Sequence, residues 1–330
     1  MTRALVTGAS GHLGANLVRE LLEQGWDVVP LVRVTSRLAG LDGLDVRVRF
    51  GDVLDRASLD AAMQGCEVVF HAAAVHRVWA EDSEREIVVP AMVGTRNVLE
   101  AAAAAGVRRL IHTSSCNTVG FSPHADELLA EDHFMEDPHL PYIRAKVRSE
   151  RLALRLGREL GVDVVVLNPT GILGPHDHRI TPTTAFLRDV LKGGPVLPGS
   201  QNLVHVRDVA RAHVLAVERG EPGERYLVGG ANVTAEALIG HVFELTGRRP
   251  RVLRGPRWLF LAVGWAMERV ARMRGGEPAL SVDLVRDAWG RSAVFDTSRA
   301  RDVLGFVGRG PREVLEDTVR WLEAAGELPA

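Results

Sequence analysis

The sequence predicts an α/β fold: a doubly wound parallel sheet covered by helices on both faces, with a smaller, mostly helical C-terminal lobe. Three observations predict it. Short β-branched runs alternate with helical patterns over the first two-thirds of the 330 residues. A glycine-rich turn closes the first of these runs, in "LVTGASGHLG". The alternation then breaks after "NPTGILGP", and mostly helical patterns follow.

The strands read as "ALVT", "WDVVPLV", "DVRVRF", "EVVFHA", "RRLIHTS" and "VDVVVLN". Helical patterns fall between them at residues 12–24, 56–64, 84–105 and 142–160, and "RNVLEAAAAAG" is a strong helix former closed by Gly106. Residues 174–200 read as loop, with Gly and Pro clustered at 193–199. A helix and a strand follow in 205–228, and the chain closes on the helical "PREVLEDTVRWLEAAG". The expected division is a nucleotide-binding domain at 1–170, rejoined by about 201–230, and a substrate lobe made of 171–200 and 231–330.

Hydrophobic residues make up 46% and charged residues 25% of the chain, and the net charge is −2. That balance gives no electrostatic case for nucleic acid. Two cysteines, Cys66 and Cys116, without a CxxC, point to a reducing compartment and a cytoplasmic location. The first strand starts so close to Met1 that no signal peptide is expected. The longest apolar run, Trp258 to Met267, is about half the length of a membrane span.

Gly8, Gly11 and Gly14 follow a strand and open a helix, with spacing GxxGxxG. Glycines there allow a tight turn and close approach of a pyrophosphate to backbone N–H groups at a helix N-terminus. At the end of the second strand, where enzymes that prefer NAD carry an acid for the ribose hydroxyls, stand Val32 and Arg33, with Arg37 close behind. A guanidinium suits a 2′-phosphate, so NADP(H) is expected over NAD(H). Asp52 in "FGDVLD" is placed to accept from an adenine amino group. The small residues Ala72, Ala73 and Ala74 in "FHAAA" leave room for a ribose.

Only two of the 40 Lys plus Arg residues are Lys, at 146 and 192, and only two residues are Tyr, at 142 and 226. Tyr142 and Lys146 are four apart on an expected helix and share one face. A phenol, with a reference pKa of about 10, becomes a usable acid–base when an ammonium beside it lowers that value. Lys offers a compact charge and donors for ribose hydroxyls where Arg offers a bulky fork. "IHTSSCNTVGF" supplies hydroxyls at Thr113, Ser114 and Ser115, any of which can hold a substrate carbonyl beside the phenol.

Taken in order, "TGASGHLG", "GDVLD", "HAAA", "VGTRNVLEAA", "TSSCNTVG", "YIRAK", "NPTGILGP" and "HVRDVARAH" resemble the extended short-chain dehydrogenase/reductases over nearly the whole chain. The resemblance implies a Rossmann-type fold. It also implies that Ser115, five residues before Gly120, orients the carbonyl, that Tyr142 transfers the proton, and that Lys146 tunes Tyr142 and binds the ribose. It adds His12, Leu13, Val53, Pro169 and Ile172 to the cofactor-binding set, and Asn117 beside Ser115 on the substrate side. Within the family the chain is most similar to the dihydroflavonol reductase, cinnamoyl-CoA reductase and hydroxysteroid dehydrogenase branch, and also resembles hopanoid-associated sugar epimerases. Val165, Val166 and Leu167 stand where sugar-nucleotide enzymes commonly carry Arg with Tyr or Phe. No Asp–Glu pair follows the active hydroxyl. Ala91 replaces the Asn that many members place before the "VGT" glycine, next to Pro90 as in the reductase branch.

The expected activity is reduction of a ketone or aldehyde on an apolar small molecule. A sugar-nucleotide epimerase and a non-catalytic NADP-binding redox sensor are the alternatives. The family further implies a homodimer through helices 84–105 and 142–160. His76 and Trp79 are candidates for the substrate mouth. His176, Asp177 and His178 in "GPHDHRI" are read as a solvent-exposed loop, and no metal is expected. The Arg-flanked apolar stretch at 256–274 reads either as a helix capping an apolar pocket or as one that lies on a membrane surface.

Overall fold

A computed structural model describes residues 1–74, 79–274 and 276–328. Its first half runs β1 (Arg3–Thr7), α1 (His12–Glu23), β2 (Asp27–Val32), β3 (Arg49–Phe50), α2 (Arg56–Ala62) and β4 (Val68–His71). It continues through α3 (Val89–Ala104), β5 (Arg109–Thr113), α4 (Pro141–Leu160) and β6 (Asp163–Pro169). These strands, joined by β9 (Arg225–Val228), form one seven-stranded sheet in the order β3-β2-β1-β4-β5-β6-β9, parallel at every pairing. The strand order reverses between β1 and β4, which opens a crevice at the carboxyl ends where such sheets bind ligands.

Two apolar layers sandwich the sheet. On one face Leu13, Leu17 and Leu21 of α1 meet Val209, Ala212 and Ala216 of α6 (Val206–Arg219) over Val6, Phe70 and Ile111. On the other, Val98, Leu99 and Ala102 of α3 and Leu152, Ala153 and Leu156 of α4 cover Leu5, Val69 and Leu110. Within the run 84–104 an 18-residue stretch has a mean hydropathy of 1.2, and the helix is long and apolar enough to cross a membrane by composition. In this fold it packs on α4 and the sheet. Its first turn, Glu84–Val88, is π-helical. Pro90 lies just inside α3 and has no N–H to give the preceding turn, which widens.

The second part of the chain carries a small sheet of β7 (Gly171–Leu173), β8 (Ser200–His205) and β10 (Ala231–Thr234) in the order β10-β8-β7. The segment 201–230 is therefore divided, with β8 in the small sheet and α6 and β9 on the large one. Around the small sheet pack α5 (Pro182–Leu191), α7 (Ala235–Thr246) and α10 (Pro311–Ala324), whose Leu187, Leu238, Val314 and Leu322 share a core. Helix α8 (Arg257–Arg274) lies outside that core, against α9 (Val282–Ala288).

Helix α5 corrects the reading of 174–200 as loop. Pro182 sits in its first turn, where the missing N–H costs nothing. The stretch "GPHDHRI" is also corrected. The Asp177 side chain is fully buried, its Oδ2 accepting from Thr181 N at 2.8 Å and Thr181 Oγ1 at 2.7 Å and lying 3.7 Å from His12 Nδ1. Only an internal partner for the carboxylate makes such burial tolerable, and local sequence does not reveal one.

Candidate active site

The glycine turn is shaped by the chain packing on itself. Gly8 has φ +70°, and a Cβ there would lie 2.7 Å from Ala73 N; one on Gly14 would lie 2.1 Å from Gly8 O. A side chain at either position would push β1, α1 and the end of β4 apart. Gly11 is different, since its Cβ would meet only Gly8 O, at 3.2 Å. It caps α1 without a side chain, and the first turn carries no acidic residue. The N–H groups of that turn are thus left to an incoming anion. Ala73 N donates to Thr7 Oγ1 (3.2 Å), which also pairs with His71 Nδ1 (2.9 Å), so the small-residue segment is tied to the same turn.

Arg33 is exposed just past β2 and, with Arg37, His178, Arg179 and Glu327, lines a cleft of about 490 Å³. Arg179 Nη2 donates to Ser10 Oγ in the glycine turn (3.4 Å), so the cleft adjoins the turn. Three guanidiniums against one carboxylate make it anion-attracting.

Tyr142, Lys146 and Ser115 come together where β5 ends. Pro141 starts α4 and places Tyr142 in its first turn, and Gly161, at φ 69°, stops the helix. Lys146 Nζ donates to the Thr113 carbonyl at 3.0 Å. A 3₁₀ turn at Cys116–Thr118 fixes Ser115, whose Oγ accepts from Asn117 N at 3.2 Å and whose carbonyl accepts from Thr118 Oγ1 at 2.9 Å. Burial pushes the Tyr142 phenol up to about 12, opposed by a hydrogen bond with the Ser115 side chain. Loss of water thus outweighs that hydrogen bond at the phenol. Burial also lowers Lys146 to about 8, with the Glu150 carboxylate opposing the fall.

The protein-family model for the NAD dependent epimerase/dehydratase family matches residues 4–229. Among curated relatives, sterol demethylase protein B of Methylococcus capsulatus is 37% identical, covering 98% of this chain and 99% of that protein. The 4-hydroxy-2-methyl-3-oxo-4-farnesyl-3,4-dihydroquinoline-1-oxide ketoreductase of Stigmatella aurantiaca is 30% identical over 98% of each. The crystal structure of gox2253 superposes with a TM-score of 0.86 at 31% identity, covering 99% of this chain and 100% of that one. The chain belongs to the NAD dependent epimerase/dehydratase family, the extended short-chain dehydrogenase/reductases. It is an NAD(P)-dependent enzyme of carbonyl and alcohol groups, and its named relatives include reductases.

A nicotinamide dinucleotide is the cofactor of this epimerase/dehydratase family member, and the residues present fit one. The side-chain-free cap of α1 suits the pyrophosphate, and the small Ala72 and Ala73 beside it leave space for a ribose. His12 and Leu13 are buried in the first turn of α1, and only their backbone faces that position. Asp52 holds one oxygen on Leu54 N (3.0 Å), which orients the carboxylate. Val53 packs on Gly94 of α3, and its carbonyl accepts from Asn97 Nδ2 (3.0 Å). Pro169 ends β6, and Ile172 of β7 is half-buried against the first core layer. Asn117 is half-buried beside Ser115, and Trp79 is half-buried at the loop before α3. His76 lies outside the described residues. Among the described residues no group of three metal-ligating side chains is gathered.

Sequence reading missed the buried ion pair behind the site. Glu150, one turn after Lys146, is fully buried and binds Arg225 Nε of β9 through Oε1. Its Oε2 accepts from Ser114 Oγ (2.5 Å) and Asn168 Nδ2 (2.9 Å). Arg225 also reaches Thr118 Oγ1 (3.0 Å) and the Glu131 carbonyl (2.5 Å) and stacks 3.6 Å from the Phe134 ring. The one local signal was Glu150 sharing the helical face of Lys146; the partner lies 75 positions away.

Proposed function

We propose that this chain is an NADPH-dependent reductase of a ketone or aldehyde on an apolar small molecule. The observation that carries the reading is the Ser115–Tyr142 hydrogen bond beside the buried Lys146 ammonium. When bound, the nicotinamide supplies the hydride for the carbonyl carbon. Ser115 donates to the carbonyl oxygen and holds it beside Tyr142. Tyr142 gives that oxygen its phenolic proton, and a phenol pushed up to about 12 is protonated at neutral pH, the form an acid needs. Lys146, fixed on the Thr113 carbonyl, stabilises the phenolate left behind.

The Arg33, Arg37 and Arg179 cleft supports NADPH over NADH, since a 2′-phosphate matches forked guanidinium donors. An apolar substrate is supported by Phe121, Phe134, Met135 and Leu284, which, like Tyr142, pack against the buried Leu140, Ile143 and Val147. The names of the sterol- and farnesyl-linked relatives point the same way. The exposed Val89 and Val93 of α3 and Leu160 of α4 fit a dimer through those helices. The test is NADPH consumption against a panel of aromatic, aliphatic and steroid-like ketones and aldehydes. Oxidation that vanishes in Tyr142→Phe is expected, whereas tight cofactor binding with no consumption across the panel overturns the reading.

A further inference from the structure

Helix α8 reverses the usual placement of apolar side chains. At 3.6 residues per turn its inward stripe is Phe260, Gly264 and Ala271, the residues of this helix that are buried. A Cβ on Gly264 would lie 3.0 Å from the Ser281 carbonyl carbon, so α8 rests there directly on the start of α9. Glu268 faces the same way, its Oε1 accepting from Val282 N at 2.8 Å. The opposite face presents Trp258 (69% exposed), Leu259, Val263, Trp265 (56%), Val270 and Met273 (78%). Single exposed apolar residues are ordinary on protein surfaces, but a contiguous helix face holding two tryptophans is not.

The charges say what covers the face. Arg269 lies over the Trp265 ring at 5.0 Å, Arg272 and Arg274 are exposed at the C-terminal end, and Arg257 stands at the start. Glu268 is the one acidic residue of the helix and is turned inward. A second copy of the chain set against this face would bring arginines to a surface with no carboxylate of its own to meet them. An anionic lipid headgroup layer supplies both complements, phosphates for the arginines and acyl chains for the apolar residues. Tryptophan is the side chain that settles at that boundary.

We infer that α8 docks the protein on anionic phospholipid membranes, with Trp258 and Trp265 inserted at the headgroup level. The position has a use in the proposed chemistry. Helix α9 stacks Trp289 on Phe260 of α8 (3.7 Å) at one end. At that same end Asp287 accepts from Leu140 N (2.7 Å) at the entry to α4, and Leu284 packs on the cluster of Leu140, Ile143 and Val147 against which Tyr142 also packs. A short path therefore joins the membrane face to the reacting phenol. The docking itself stands whatever the carbonyl substrate is.

The test is sedimentation of the full chain with vesicles of phosphatidylglycerol and phosphatidylcholine, compared with phosphatidylcholine alone. Wild-type protein is expected to sediment with the anionic vesicles and to be released by salt. Each basic residue near such a surface strengthens binding roughly fivefold, so the double variant R269Q/R272Q should lose about 25-fold. The variant W258S/W265S should stay in the supernatant, with NADPH binding and turnover in lipid-free buffer unchanged in both. Wild-type protein left in the supernatant with anionic vesicles overturns the inference. So does vesicle binding that W258S/W265S leaves intact, or a dimer in light scattering that W265S dissociates. NADPH turnover without lipid reads the proposed reductase activity separately.

Discussion

Helices α4 and α8 are of similar length, 20 and 18 residues, and follow opposite rules. Helix α4 buries Lys146 and Glu150, and α8 exposes Trp258, Trp265 and Met273. Charged residues are rarely fully buried unless paired, and a large exposed apolar face is equally uncommon. Both helices therefore carry something other than packing. In α4 the cost of burial is offset by partners, the Thr113 carbonyl for Lys146 and Arg225, Ser114 and Asn168 for Glu150, and these surround the groups proposed to react. In α8 no described residue covers the exposed tryptophans, and the partner proposed for that face is a membrane. Comparing the two places the proposed chemistry on the inward side of α4 and the proposed recognition of surroundings on the outward side of α8.

Substitutions on α4 should break function or fold. Tyr142→Phe is expected to lower kcat by roughly 10²–10⁴-fold, the range for loss of general acid catalysis, while fluorescence titration shows NADPH binding kept. Full activity in that variant would remove Tyr142 from the mechanism. Glu150→Gln leaves Arg225 buried without its carboxylate and should cost about 3–5 kcal/mol in urea unfolding. Unchanged unfolding would mean that the pair contributes little. Around the cofactor, Arg33→Ala should weaken NADPH roughly 10–100-fold, the value of a hydrogen bond to a charged group, and leave NADH nearly unaffected. An equal loss for both cofactors would argue against a 2′-phosphate contact.

Lys146 gives the comparison a pH axis. Its pKa is about 8 in the fold against 10.5 for the free side chain. The unfolded chain therefore holds more protons between those values, and stability rises with pH across that window as the buried ammonium is relieved of its proton. Activity runs the other way, because the charge that stabilises phenolate is lost. In the free enzyme kcat/KM should fall above about pH 8. A profile flat to pH 10 would mean that the ammonium is not needed. The smallest effect belongs to α8. Trp258→Ser, far from any buried partner, should change unfolding free energy by no more than about 0.5 kcal/mol. A larger loss would show that the face is packed after all.

The comparison also marks what was readable in the sequence. The glycine turn, the alternating strands and the Tyr142–Lys146 pair were legible because each depends on local spacing: a turn, a period, one helical face. Ser115 was legible only through the family pattern, since Thr113 and Ser114 carry hydroxyls in the same turn. The structure puts Ser114 on Glu150 and leaves Ser115 beside Tyr142. The Glu150–Arg225 pair was illegible because its members meet only when β9 joins the sheet next to β6. Asp177 failed for the same reason, its burial depending on His12 from the other end of the nucleotide-binding region. Helix α5 failed for a different one, since its initial proline signals an ending and a beginning equally well.

The two lysines differ as sharply as the two helices. Lys146 is 8% exposed with its Nζ on the Thr113 carbonyl, while Lys192 stands exposed at the end of α5. For amine chemistry the folded protein thus has one addressable side chain, and coupling a dye or a solid support through it leaves the reacting centre untouched. A lysine-specific protease acting on the native chain would find one accessible cleavage point, just past α5, and cut there into two pieces.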